Sequence, residues 1–313
     1  MDETPALTRR ALLATGGAVG VGALAGCTGA SSRSAVTVLA AGSLSVVFNE
    51  TVGPAFETAA DQGYRGEFHG SNAVMRMTRD GQKHPDVIVS ADPPLLRDKL
   101  QGGPDPITDW DVVFASNEVG ITYAPETDVG DRLAAGEPWY AVLRKADAEI
   151  ARSDPNLDPL GYRTLMLFEL AETYYDEPGL REALASNLRI DPSESHMLAA
   201  VETGDRAAAV TYRNMAVDHG LEFLALPDEL NFSNPAYEDH YASVTYTTDE
   251  GHTVEGTPVL YNATVPADAD NPEAGRRFLR FLLGEPDLLT ENGLVVTDAF
   301  PRPHGNVPPE VLP

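Results

Sequence analysis

Val36-Thr37-Val38-Leu39-Ala40-Ala41-Gly42-Ser43-Leu44 is the stretch from which the fold can be read. Its first six residues form a short apolar run that opens with three β-branched side chains, the mark of a buried strand. Gly42-Ser43 interrupts the run, and Val46, Val47, Phe48, Val52 and Phe56 then recur at helical spacing. The same order returns twice. Tyr64 to His69 reads as a second strand, Gly70-Ser71-Asn72 as a break, and 73–77 as a helix. Asp86 to Ser90 reads as a third strand; Ala91-Asp92 stands at its end and Pro93-Pro94 opens a helix. Strand, short loop and helix, three times over, predict an α/β layer with a parallel sheet.

Farther along, 119–123 reads as a strand leaving this first layer. Residues 132–220 read as mostly helical, with helices at 162–175 and 197–202, then a strand at 207–212 and a helix through Ala216. Residues 258–265 read as another strand. Asn271-Pro272-Glu273 opens a periodic helix over 274–283 with Phe278, Phe281 and Leu282 on its apolar face. The proline-rich C-terminal tail reads as irregular. No internal repeat and no long low-complexity segment is present.

The chain has 313 residues, and at about 150 residues per domain this suggests two domains. A hydrophobic content of 42% is enough for real cores. The charge balance, 22 Lys+Arg against 48 Asp+Glu, gives a net charge of −26. Such a field argues against a nucleic-acid partner, whose phosphates need Lys and Arg, and against docking on an anionic membrane surface. Only Lys83, Lys99 and Lys145 are lysines. An acidic surface almost without lysine suits high external salt, where self-repulsion is screened within about 3 Å at 1 M; the composition points to a salt-loving archaeal source. With one cysteine, no internal disulfide and no thiolate metal cluster can form.

The N-terminus reads as an address. Arg9-Arg10 precede an apolar stretch, Ala11 to Ala25, that is shorter than the roughly 20 residues a membrane span needs. The pair looks like a twin-arginine export signal, and Leu24-Ala25-Gly26-Cys27 looks like a lipobox whose cysteine is lipidated. On this reading residues 1–26 are a signal peptide and 27–35 a flexible tether holding the chain at the extracellular face of the cell membrane.

Ser43 and Ser71 each follow a strand, open a helix and have a glycine immediately before them. The glycine permits a tight turn, and the first backbone N–H groups of a helix lack intrahelical partners. Two such ends on one sheet edge make a cradle for an anion from neutral donors and positive dipole ends. Each serine taken alone reads first as a helix N-cap, and it is the pair on one sheet edge that points to a site.

Ala40-Ala41-Gly42-Ser43-Leu44, Gly70-Ser71 and the 86–92 strand end, in this order and spacing, resemble the periplasmic-type binding proteins for tungstate and molybdate. Asn156-Leu157-Asp158-Pro159-Leu160-Gly161-Tyr162-Arg163-Thr164-Leu165-Met166 resembles a stretch of the archaeal branch of that family, as do 226–231 and 256–261. The resemblance runs from about Val36 to Leu283. It implies a type II two-lobe α/β fold, each lobe a mostly parallel sheet flanked by helices, with two crossing segments as a hinge. Lobe 1 would hold 36–119 and 261–313, and lobe 2 would hold 120–260. It also implies a non-enzymatic monomer with no cofactor, which delivers tungstate or molybdate to an ABC permease and its ATPase.

By the same resemblance Ser43 and Ser71 donate to the oxyanion from lobe 1, and Thr211 and Tyr212 from lobe 2. Asp158 approaches the metal atom of the oxyanion, as a carboxylate can toward W(VI) or Mo(VI) but not toward the sulfur of sulfate. A second carboxylate of the family falls where this chain has Thr211, which leaves tetrahedral and octahedral coordination both open. Arg76 and Arg163 are candidates to face the cleft, Arg163 with Asp158 as its partner, and Asp92 reads as a helix cap or hinge residue. Another oxyanion, such as sulfate or phosphate, stays an alternative ligand. A surface hydrolase using a serine nucleophile is the alternative of another class, with His69 beside Ser71 as the one conceivable base; no Gly-x-Ser-x-Gly and no His-Glu-x-x-His occurs. An adhesion module is disfavoured by the α/β pattern.

Overall fold

The computed structural model describes residues 35–146, 150–156, 159–191, 194–249, 251 and 253–313. The arginine pair, Cys27 and Asp158 lie outside the described residues. Two sheets, and a small two-stranded ribbon, organise the rest. The strands are β1 (Val36–Ala41), β2 (Tyr64–His69), β3 (Val87–Ser90), β4 (Trp110–Asn117), β5 (Val119–Tyr123), β6 (Ile150–Arg152), β7 (Arg189–Ile190), β8 (Ala208–Tyr212), β9 (Glu222–Leu224), β10 (Thr245–Thr247), β11 (Thr253–Glu255), β12 (Val259–Thr264) and β13 (Arg302–Gly305).

The first sheet runs β13-β4-β12-β3-β1-β2 and the second β7-β6-β8-β5-β9. β1 pairs in parallel with β2 and β3, as the repeated strand–helix units require. The rest of the first sheet departs from the expected parallel order: β12 is antiparallel to β3 and β4, and β13 to β4. In the second sheet β6 is parallel to β7 and β8, while β5 is antiparallel to β8 and β9. Both sheets are therefore mixed. The reason is connectivity: β4 runs straight on into β5, and β12 returns from the far sheet without a crossover helix to reverse it. The tail, expected to be irregular, supplies β13. Its Pro303 is tolerated because β13 is an edge strand, where a missing N–H breaks no ladder.

Each sheet has its own core. Phe48, Phe56 and Phe278 meet edge to face beside the first, with centroids 5.2 Å apart for Phe56 and Phe278. Asn271 caps the helix Pro272–Gly284 by accepting from Ala274 N, so the predicted periodic face falls onto this core. Trp139, Leu160, Phe168 and Val210 pack beside the second sheet. Each such side chain contributes about 1.5–3 kcal/mol on burial.

A single residue, Glu118, separates β4 from β5 and so carries the chain from sheet to sheet. Burial pushes its carboxyl up from the ordinary range, while Arg213 Nη1 at 3.0 Å and Asn231 Nδ2 at 3.3 Å hold it. The chain returns just before β12, where Val259 N donates to Phe232 O at 2.8 Å. Among the described residues no helix is long and apolar enough to cross a membrane.

Candidate functional site

The register of the parallel strands sets the site. Ala41 lies beside His69 and Ala40 beside Val89, so β1, β2 and β3 end at one level. From these ends the chain enters the Gly42–Leu44 turn and the helices Ser71–Arg79 and Pro93–Leu96. Facing them are Pro159, Tyr162 and Arg163 on the helix Pro159–Tyr174, Glu194, and Tyr212 at the end of β8. A cavity of about 500 Å³ lies between the two sets.

Ser43 and Ser71 both line it. Neither is an N-cap: Ala41 and Gly70 hold those positions, and no side chain caps either start. No side chain therefore takes the amides at the very start of either turn, and the serines stand within the first turn. Ser71 Oγ accepts from Ala91 N at 3.1 Å, so its own proton is left to donate. Ser43 Oγ lies 3.0 Å from Tyr261 Oη. The glycines act differently from the expectation. Gly70 has an ordinary φ of −58°, and a Cβ there would meet nothing within 4 Å. At Gly42 the same atom would find only ordinary contacts. Both glycines line the cavity, so their value is the side chain they leave out.

At Gly161 the space is closed. A Cβ there would fall 2.4 Å from the carbonyl of Asp154, so only glycine lets this helix start settle against 154–155. That contact brings Tyr162 and Arg163 to the cavity wall. Arg163 Nη1 donates to Tyr212 Oη at 2.8 Å, its guanidinium lies 5.6 Å from the centre of the Tyr162 ring, and its buried Nε has no partner among the described residues. Burial works against the charge, yet Tyr212, Tyr162 and Asp92 outweigh it and hold Arg163 above its ordinary range. A fixed cation with an N–H to give thus joins the neutral donors.

Tyr212 lines the cavity as expected, but Thr211 does not. Side chains alternate along a strand, so these neighbours on β8 point to opposite faces. Thr211 Oγ1 is buried without a partner among the described residues. Asp92 also lines the cavity and caps its helix, accepting from Leu95 N at 2.9 Å. Arg76 lies away from the cavity wall. His69 Nε2 pairs with Glu67 at 3.0 Å, and among the described residues no histidine lines the cavity. Glu194 has no role in the sequence reading, and Tyr162 and Tyr261 enter it only inside matched stretches, with no role of their own. Tyr261 falls in a strand that was legible, and Glu194 follows Asp191-Pro192 at the start of an apolar periodic run, a usable signal for a helix start at a sheet edge.

Residues 36–287 match the model of the bacterial extracellular solute-binding protein family. The chain belongs to this family. An uncharacterized solute-binding protein of Halobacterium salinarum is 50% identical over 98% of both chains. A putative ABC transporter molybdenum-binding protein of Haloferax volcanii is 36% identical over 96% of both, and the molybdate/tungstate-binding protein WtpA of Thermococcus kodakarensis is 31% identical over 92% of this chain and 91% of its own. The solute-binding fold recurs in the substrate-binding domain of a putative molybdenum ABC transporter from Clostridium difficile, with TM-score 0.58 at 13% identity over 84% of this chain and 99% of that one. It recurs likewise in the periplasmic molybdate-binding protein of Azotobacter vinelandii, with TM-score 0.57 at 12% identity over 84% and 100%. This family is a non-enzymatic component of transport.

Proposed function

We propose that this solute-binding protein captures tungstate or molybdate outside the cell and delivers it to an ABC permease and its ATPase, held at the membrane as a monomer by a lipid on Cys27. The observation that carries the reading is convergence. Two uncapped helix starts, each bearing a serine, and the Arg163 guanidinium meet at one cavity. Such a set suits a small anion that only accepts hydrogen bonds.

Glu194 in the wall favours a metal centre over sulfur or phosphorus. A carboxylate beside sulfate only repels it, whereas W(VI) or Mo(VI) can take it as a further ligand, and Asp158 is the second candidate for that role. Capture works by closure: 36–119 with 261–313 form one lobe, 120–260 the other, and Glu118 and the segment before β12 act as the hinge. The anion stabilises the closed form because it touches both lobes at once.

Calorimetric titration of the chain from Cys27 onward with tungstate, molybdate, sulfate and phosphate tests the reading. Tungstate or molybdate should bind at least about 100-fold more tightly than the other two, a difference of about 2.7 kcal/mol. Equal binding of sulfate would transfer the assignment to a general oxyanion carrier, and no heat from any of the four would overturn it. A Cys27→Ser chain recovered from the medium rather than from membranes would support the anchor.

A further inference from the structure

Four side chains that come from distant parts of the sequence close a ring behind Ser43. Asn117 Nδ2 donates to Tyr261 Oη at 3.1 Å and to Asn214 Oδ1 at 2.7 Å. Asn214 Nδ2 donates to the Ser43 carbonyl at 2.7 Å, and Ser43 Oγ lies 3.0 Å from Tyr261 Oη. Asn117, Asn214 and Tyr261 are fully buried, and Ser43 and Tyr261 both lie at the cavity wall.

The chemistry fixes the direction of this ring. A backbone N–H only donates, and Glu118 N points at Asn117 Oδ1 at 3.0 Å, so the Asn117 amino group must face Tyr261 and Asn214. A carbonyl only accepts, so Asn214 must turn its amino group to Ser43 O and its oxygen to Asn117. The two constraints are independent and agree. Both protons of Asn117 Nδ2 are then engaged, and the Tyr261 oxygen already accepts one of them. We propose that Tyr261 Oη donates its hydrogen bond to Ser43 Oγ, so that the Ser43 hydroxyl is left to donate into the cavity, making Tyr261 and Asn117 positioning residues for the anion. The inference rests on the oxyanion reading above. It adds that a donor chain, Asn117 to Tyr261 to Ser43, presents a site that only an acceptor can fill. It also ties the anion contact to Asn214 on the helix Arg213–Asp218, which follows β8 of the second sheet. Serial donation of this kind strengthens each hydrogen bond in the chain.

A double-mutant cycle in tungstate affinity, read by calorimetry, tests it. Ser43→Ala should weaken binding about 10–100-fold and Tyr261→Phe about 3–10-fold, the range for hydrogen bonds to a charged acceptor and for its second-tier support. The double variant should bind within about twofold of Ser43→Ala, because Tyr261 acts only through Ser43. A purely structural role would not produce that loss of additivity. Tyr261→Phe keeps the ring that packs against Phe114. Asn117→Ala is the second probe, expected to match Tyr261→Phe and likewise to add nothing to Ser43→Ala. Melting temperatures of the unliganded proteins identify any variant that fails to fold. Losses that multiply, or a Tyr261→Phe protein that binds like the wild type, would overturn the relay while leaving the oxyanion reading intact. A wild-type chain that binds no oxyanion would remove both.

Discussion

Substitution of Ser71 by alanine separates affinity from stability, because the hydroxyl does two jobs on two sides. Its oxygen accepts from Ala91 N at 3.1 Å, and its proton is left for the cavity. Removing a hydrogen bond to a charged acceptor costs about 1.5–3 kcal/mol, so the Kd for tungstate should rise about 10–100-fold. The orphaned Ala91 amide costs about 1–3 kcal/mol more. That cost is present with and without ligand, so it cancels from the affinity and appears in the Tm alone, at about 2–4 °C per kcal/mol for a unit of this size. Calorimetry and thermal unfolding of Ser71→Ala, with Ser71→Thr as the hydroxyl-retaining control, read the two effects apart. The donor is neutral, so the fold-loss should be the same in dilute buffer and in strong salt. A lowered Tm with a Kd within about twofold of wild type would refute the reasoning, since it would show the hydroxyl proton turned away from the anion.

Arg163→Gln removes the cavity's guanidinium and its bond to Tyr212; tungstate affinity should fall at least about tenfold, and an unchanged titration would exclude the cation from the site. Affinity of the wild type should change less than about tenfold between low and molar salt once unfolding is controlled, because short-range donors, and not the field of a −26 chain, do the binding. Burial, with Glu50 adding repulsion, pushes the Asp218 carboxyl up to about 6 from its ordinary 3.8. Between those values the folded state holds a proton that the unfolded state has released, so stability falls as pH rises from about 4 to 6; acidification from pH 7 to 5 should therefore raise the Tm of wild type relative to Asp218→Asn. Asp111 is fully buried and accepts from Arg97 through two nitrogens, from Gln101 and from Asn262. Asp111→Ala leaves that guanidinium without its partner and should cost about 3–5 kcal/mol in denaturant unfolding with tungstate affinity unaffected.

What the sequence makes legible is what local chemistry decides. The units from β1 to β3 announce themselves because apolar runs, glycine breaks and helical spacing all lie within a few residues of one another. The Gly161-Tyr162-Arg163 stretch was legible only through its resemblance to the archaeal branch, and the structure adds the steric reason for the glycine, whose Cβ position meets 154–155. The mixed sheet order is not local. It depends on β4 running into β5 through Glu118 and on β12 returning; 119–123 reads as a strand leaving the first layer, but the direction in which β12 and β13 pair has no signature at their own positions. The tail strand β13 was hidden by its prolines, which forbid a central strand but not an edge one.

Thr211 and Tyr212 show where the site itself escapes such a reading. Matching a motif places a residue along the chain to within one position, but a strand turns a one-residue difference into opposite faces. Tyr212 reaches the cavity and Arg163, whereas Thr211 points into packed protein with a hydroxyl that has no partner among the described residues. A carboxylate at Thr211's place would need a different strand register or twist to reach the anion. Glu194, from another helix start, already stands in the wall. The chemistry of the cavity is thus held by where side chains converge, and a carboxylate can be supplied from a new position without any change in the donors opposite. On the proposed reading Glu194, and not residue 211, is the carboxylate that lies on the cavity side. That placement makes Glu194→Gln, rather than a change at Thr211, the substitution that should separate tungstate from sulfate affinity.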